Sequence, residues 1–181
     1  GGYRVPCAIR WPGVIKPGTI NNEVFAHEDM LPTLLAAAGV PDVKEKLLKG
    51  MQVGNKNFKV HLDGYNVTDA LAGNSPSPRK EFFYFNDDGS LVGLRYNQWK
   101  LVFAEQRAEG FDVWQEPFVM LRLPKLFNLR SDPFEKADQI GADYERWRID
   151  RVFLLVPAQQ YIGGFISTFK DFPPSQKVGS F

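Results

Sequence analysis

Cysteine and histidine are almost missing from this chain. Cys7 is the one cysteine in 181 residues, which excludes an internal disulfide framework and any multi-cysteine zinc site. Two histidines, His27 and His61, leave little for a His-rich metal centre. A charge excess is missing too. Lys plus Arg is 22 against 21 Asp plus Glu, a formal net charge of +1, whereas a dedicated nucleic-acid or anionic-membrane binder carries a clear basic surplus. No apolar run is read as approaching the roughly 18–20 residues of a membrane-crossing helix, so neither a nucleic acid nor a membrane span is expected. The opening Gly1-Gly2-Tyr3-Arg4 has no initiator methionine and no signal-peptide pattern. The expectation is that the chain as given starts inside a longer protein.

What is present is ordinary globular material, long enough for a core of its own. Sixteen glycines and thirteen prolines forecast many loops. The short apolar run from Arg4 to Trp11, bounded by Gly and Pro, fits a fully buried strand. Pro12-Gly13 and Pro17-Gly18 spell a double turn. Asp29 is placed as the N-cap of a helix over 30–38, accepting from the Leu31 amide. Pro32 then falls in the first turn, and Gly39 and Pro41 end the helix. Leu31, Leu34, Leu35 and Ala38 share a face expected to pack on a sheet. Residues 42–60 read as a surface excursion, 67–72 as a short helix stopped by Gly73, and 74–78 as a linker.

Beyond the linker the pattern changes to an antiparallel meander. Strands are predicted over 81–86, 91–96 and 98–105, with a hairpin turn at Asp87-Asp88-Gly89-Ser90. Trp99, Leu101 and Phe103 alternate with Lys100 and Val102, as in a strand with one buried face. A short fourth strand is predicted over 125–129. A helix over 142–156, ended or kinked by Pro157, should cover the sheet, with Trp99 and Trp147 inside. A second helix is predicted over 165–172, closed by Pro173-Pro174. This half holds 13 of the 15 phenylalanines, and an aromatic core of its own follows.

The chemistry-bearing side chains form no complete active site. Cys7 lies in a predicted buried strand, where a lone cysteine is a small hydrophobe. Arg10, at an odd offset, would point to the other face and could not activate it. His27 beside Glu28 and Asp29 could suggest a ligand or a base, but a helix start accounts for the carboxylate. His61 and Asp63 lack a third partner in sequence. Asp87-Asp88-Gly89-Ser90 lacks the remainder of a calcium loop. Asn66-Val67-Thr68 is a glycosylation sequon, meaningful only in a eukaryotic secretory setting. On these grounds no residue is assigned a catalytic, cofactor-binding or metal-binding role.

An ordered set of short motifs points further. Gly1-Gly2-Tyr3-Arg4-Val5-Pro6 is followed by Arg10-Trp11-Pro12-Gly13 and Lys16-Pro17-Gly18. Asp29-x-x-Pro32-Thr33-Leu34 through Ala38-Gly39 comes next, then Gly64-Tyr65-Asn66, Pro78-Arg79-Lys80-Glu81 and Trp99-Lys100. Leu126-Phe127-Asn128-Leu129, Asp132-Pro133-x-Glu135 and Thr168-Phe169-Lys170-Asp171-Phe172-Pro173-Pro174 complete the set. In this order the motifs resemble the sulfatase family, bacterial arylsulfatases in particular, over nearly the whole chain.

The resemblance implies an alkaline-phosphatase-like α/β parent fold. In it, a formylglycine made from Cys or Ser in a C/S-x-P-x-R motif attacks sulfur, beside a divalent ion, usually calcium. None of those positions can be matched here. Cys7 is followed by Ala8-Ile9-Arg10, without the motif's proline, and Ser75-Pro76-Ser77-Pro78-Arg79 places its prolines wrongly. Gly1 and Gly2 match the glycine pair after the family's active-site lysine. The calcium ligands would therefore lie upstream. The resemblance implies a C-terminal portion of a sulfuric ester hydrolase, inactive alone. Its partner would be the N-terminal part of the same protein, its substrate a small-molecule sulfate ester, and its compartment periplasmic or secreted. Residues 1–73 would supply a strand and helix to the large domain. Residues 74–181 would form an α+β subdomain, a small antiparallel sheet with a packed C-terminal helix. A non-catalytic module of the same fold, and a phosphonate or phosphate-ester hydrolase of the same superfamily, are the alternatives.

Overall fold

Two proline–glycine pairs shape the start of the chain. The carbonyl of Trp11 accepts the amides of Val14 and Ile15 at 3.2 and 2.9 Å, and that of Lys16 accepts Thr19 at 3.3 Å. Gly13 and Gly18 take positive φ, as the second central residue of such turns requires. The computed structural model describes residues 3–174. Gly1 and Gly2, with the resemblance they carry, lie outside the described residues. The described chain forms two compact units, 3–80 and 81–174.

The segment 4–11 corrects the sequence reading. It forms no strand, Cys7 is exposed, and Val5 is 59% exposed. A strand buried on both faces must pair its amides and carbonyls with neighbours on both sides. Among the described residues no strand pairs with it.

Helix α1 covers Met30–Ala37, entered through a 3₁₀ turn at His27–Asp29. Asp29 is itself helical (φ −74°) and caps no amide of α1, so its carboxylate is free to reach elsewhere. The exit is a Schellman arrangement, with Gly39 donating to Ala36 and Val40 to Leu35 at 3.0 and 2.8 Å. α1 buries Pro32 and Thr33. Leu31 and Leu34, expected to pack on a sheet, stand in solvent.

Residues 42–60 are more ordered than a surface excursion. They form α2 (Val43–Lys49) and a hairpin of β1 (Met51–Val53) with β2 (Lys56–Phe58). Gly54-Asn55 is its two-residue loop, with positive φ at Gly54, a pairing that suits such hairpins. Helix α3 (Thr68–Ala72) ends at Gly73 in the left-handed region. The expected linker is also corrected. Ser77 is buried, its Oγ donating to the Val24 carbonyl at 2.7 Å. The two compact units divide after Lys80.

In the second unit β3 (Glu81–Phe85), β4 (Leu91–Tyr96), β5 (Trp99–Glu105) and β6 (Val119–Asn128) form an antiparallel sheet in sequence order. The chain is α+β, with small antiparallel sheets and a C-terminal helix. β6 begins six residues before the predicted fourth strand (125 − 119 = 6). Pro124 hid the extension, but β6 is an edge strand, where a missing amide is tolerated. Its register jumps from Val102↔Lys125 to Ala104↔Met120, so 121–124 bulge opposite Phe103.

The helical end is partitioned differently from the reading. Instead of one helix over 142–156 there are α4 (Ala137–Ile140), α5 (Tyr144–Ile149), a 3₁₀ turn (Val152–Leu154) and α6 (Leu155–Ser167). Pro157 does not end a helix. It sits in the first turn of α6, where its missing amide is harmless. The helix predicted over 165–172 is the end of α6 and a 3₁₀ turn at Thr168–Lys170. The whole run Val152–Lys170, with mean hydropathy 1.3, is long and apolar enough to cross a membrane by length and composition. Pro157, Gln159, Gln160 and the Gly163-Gly164 pair disguised it in the sequence.

Helix and sheet meet over Leu94, Leu101, Leu126 and Ala158, with Phe83, Trp99, Phe103, Trp147, Leu155 and Ile162 around them. Each leucine buried there contributes roughly 1.5–3 kcal/mol. Trp99 and Trp147 lie 6.1 Å apart, as the alternation and the helix stripe required, and Phe83 stacks on Phe165 at 4.0 Å. Tyr144 hydroxyl donates to the Leu126 carbonyl and accepts its amide, both at 3.1 Å.

An ion network joins β5, β6 and α4. Lys125 Nζ lies 2.6 Å from both Glu105 and Asp138. The hydrogen bond from Lys125, aided by Arg107, holds the Glu105 carboxyl below its ordinary value of 4.5. A depressed carboxyl stabilises the fold above its unfolded pKa and stops doing so as pH falls through the folded one. Glu105→Gln should therefore be less stable than wild type near neutral pH. The gap should close on acidification from about pH 5 to about pH 3. Urea midpoints across that range read this directly, and a gap constant with pH would refute it.

Candidate functional site

The densest grouping of ionisable side chains in residues 3–80 is built around Asp29. Its carboxylate is fully buried. A buried carboxylate stays charged only with a counter-charge and hydrogen-bond donors, and both are present. Arg79 donates from Nε to Oδ2 at 2.7 Å and from Nη2 to Oδ1 at 2.6 Å. The backbone amides of Ala26 and Tyr65 donate to Oδ2 and Oδ1, each at 2.8 Å. Arg79 reaches Glu28 Oε1 from Nη1 at 2.7 Å and the Asp63 carbonyl from Nη2 at 3.1 Å. Its guanidinium also lies 5.0 Å from the centre of the Tyr65 ring. Beneath this network Thr33 Oγ1 donates to the Asp29 carbonyl at 2.6 Å and accepts the Val67 amide at 3.0 Å.

Local sequence chemistry explains how these groups arrive. The 3₁₀ turn before α1 aims Asp29 inward. The extended run after β2 brings the Tyr65 amide alongside. The segment before β3 delivers Arg79. Glu28 sits at the rim, where burial raises its carboxyl above 4.5. Arg79 opposes that rise, while Asp29 and Asp63 add to it. His61 Nδ1 lies 3.2 Å from Asp63 Oδ1. Lys44 Nζ donates to the Gly64 carbonyl at 3.1 Å and stands 4.6 Å from the Tyr65 ring centre.

This arrangement positions backbone, joining the turn before α1, the Tyr65 amide and the segment that carries Arg79. Both Asp29 oxygens are occupied by donors, so it is no ready base. The donors of Arg79 described here point at carboxylates and a carbonyl of the same unit, which suits a clamp and not an anion receptor. The fit of a metal can be tested on geometry alone. Among the described residues no three His, Cys, Asp or Glu side chains converge where an ion could sit.

The other sequence candidates are separate. His27 opens the 3₁₀ turn. Asn66 Oδ1 accepts from the Thr68 amide at 3.1 Å and hydroxyl at 2.6 Å, so the sequon is also the turn into α3. Arg79 was quoted in the sequence only within a motif, with no reading of its chemistry. No sequence signal pointed to it, because the Asp29 carboxylate was accounted for as the cap of an α1 amide, which it does not accept.

The chain matches no family model. It is similar to human arylsulfatase A, 29% identical over 152 residues that are 78% of this chain and 27% of that protein. An arylsulfatase of Hemicentrotus pulcherrimus is 30% identical over 112 residues, 62% of this chain and 17% of that protein. An ulvan-active sulfatase of Formosa agariphila is 28% identical over 148 residues, 75% of this chain and 28% of that protein. The chain thus spans about a quarter or less of the length of these relatives. Among solved structures, the PsFucS1 sulfatase from Pseudoalteromonas sp. shares the fold with a TM-score of 0.64 at 23% identity, over 92% of this chain and 30% of that one. The ordered motifs, the α+β architecture and these relatives agree: sulfatase homologues cover about three-quarters of this chain, and it shares the fold of a solved sulfatase.

Proposed function

We propose that this chain is the C-terminal part of an arylsulfatase-like sulfuric ester hydrolase and is inactive alone. In this reading the residues up to Lys80 complete the large α/β domain, and the meander unit is the small C-terminal subdomain. The nucleophile, the calcium ligands and the cations that hold sulfate belong to the N-terminal part of the same protein. The observation that carries the reading is the uncovered apolar surface of residues 3–80. Val5, Ile9, Leu31 and Leu34 are all exposed, although α1 is held firmly from beneath by Asp29 and Thr33. Apolar surfaces of this kind are covered in a finished α/β domain.

A chromogenic aryl sulfate assay tests both halves. Enzymes accelerate reactions by about 10⁶-fold or more, or about 8 kcal/mol, which a clamp and a meander do not supply. The 181-residue chain should show no turnover above buffer. The longer protein, with its nucleophile converted and calcium present, should hydrolyse the ester. Chelator-resistant turnover by the purified chain would overturn the first half, and an inert longer protein the second.

A further inference from the structure

The near-neutral balance of the whole chain conceals a local surplus. Residues 42–60 carry five lysines, Lys44, Lys46, Lys49, Lys56 and Lys59, against Asp42 and Glu45. The screening length in salt is only about 8–10 Å. A surface facing this segment therefore meets the segment's own charge and not the sum over the chain. Lys46, Lys49, Lys56 and Lys59 are exposed. Lys46 pairs with Asp42 at 2.8 Å. Among the described residues Lys49, Lys56 and Lys59 reach no carboxylate.

The hairpin of β1 and β2 sets apolar side chains beside those charges. Its register opposes Met51 to Phe58 and Val53 to Lys56. Directly opposed residues share a face, as do residues two apart. Met51, Val53, Lys56 and Phe58 therefore line one side, and Gln52 and Asn57 the other. Val53 is 53% and Phe58 43% exposed. The arm is preformed. Gln52 Nε2 donates to the Gly54 carbonyl at the tip at 3.0 Å, and the Val60 amide closes the base on the Leu47 carbonyl at 3.1 Å. Such preorganisation leaves little conformational entropy to lose on docking.

We propose that the arm over 49–60 docks on an anionic lipid surface, with Val53 and Phe58 entering the boundary of headgroups and acyl chains and Lys49, Lys56 and Lys59 against the headgroups. Charge and apolarity together choose the occupant. A soluble polyanion would use the lysines and leave Val53 and Phe58 in water. A covering protein face would have to desolvate three unpaired lysines, a residue type rarely buried without a partner. An anionic bilayer takes both groups, because its charge lies directly over hydrocarbon. Each lysine beside such a surface is worth about fivefold in partition.

Co-sedimentation of the 181-residue chain with vesicles tests this. Vesicles of phosphatidylcholine with about 30% phosphatidylserine should bind it, and pure phosphatidylcholine should not. Raising salt to ~0.5 M should release it. Lys49→Gln, Lys56→Gln and Lys59→Gln together should weaken binding about a hundredfold. Lys16→Gln, Lys136→Gln and Lys170→Gln remove the same charge from other exposed positions and together should leave binding as in wild type. Val53→Ser with Phe58→Ser should weaken vesicle binding about tenfold and leave retention on heparin unchanged. All of these side chains are exposed, so the exchanges should not disturb folding. Four results would overturn the proposal: no binding to the anionic vesicles, an equal loss in the two lysine variants, vesicle affinity unaltered by the two serines, or binding by the 181-residue chain that the longer protein lacks. The third would assign the arm to a soluble polyanion, and the fourth to an interface inside the longer protein.

Discussion

Arg79→Met should destabilise residues 3–80 by about 3–5 kcal/mol, the usual cost of stranding one member of a buried ion pair. Asp29 would remain fully buried with two amides but no cation, and Glu28 would lose its partner as well. Whole domains are stable by only about 5–15 kcal/mol, so this unit should melt early in urea while the meander unit retains its transition. The coupling is testable in a cycle. Asp29→Asn in the Arg79→Met background should cost much less than in wild type, because the charge left behind is gone. A loss under about 1 kcal/mol for Arg79→Met, within the range of exposed pairs, would show that the clamp is dispensable.

Gly64→Ala should be nearly as damaging for a different reason. A Cβ there would lie 2.0 Å from the Glu28 carbonyl oxygen, 2.7 Å from its carbon and 3.1 Å from Pro32 Cγ. The first two neighbours are main chain and cannot rotate away. The run carrying the Tyr65 amide must therefore move off the turn that carries Asp29. Overpacking of this kind costs about 1–3 kcal/mol and at times more, and we expect the upper end. Gly163→Ala is the contrasting control. It lies inside α6 with nothing within 4 Å of its added Cβ, and the exchange should stabilise by about 0.5–1 kcal/mol. Thermal melts of the two variants should shift in opposite directions, and a neutral Gly64→Ala would refute the close approach.

The meander was legible because its signals are local. Alternation around Trp99, the Asp88-Gly89 turn and a helix stripe through Trp147 each need only a few neighbours, and all describe one sheet face. Boundaries failed where proline has two meanings. Pro124 lies inside β6, which starts ahead of the predicted fourth strand, and edge pairing needs no amide there. Pro157 was read as a stop, but it opens α6. The segment 4–11 failed for another reason: its apolar pattern describes an environment that these residues do not provide. Of the clamp, Asp29 was legible as a helix-start residue. Its partner was not, because Arg79 is 50 positions away and no local rule pairs a carboxylate with a guanidinium at that range.

That separation also governs when the first unit can form during synthesis. Asp29 and α1 leave the ribosome before Arg79, and the cation that lets Asp29 enter the interior is the penultimate residue of residues 3–80. Until Arg79 has emerged, burying Asp29 would strand its charge, so the nascent segment must keep that turn solvated and open. Closing so long a loop is slow relative to local hairpins. The unit is therefore completed from its far end, in one late step. A nascent chain stalled before Arg79 emerges should remain protease-sensitive across α1, and one stalled well beyond it should not.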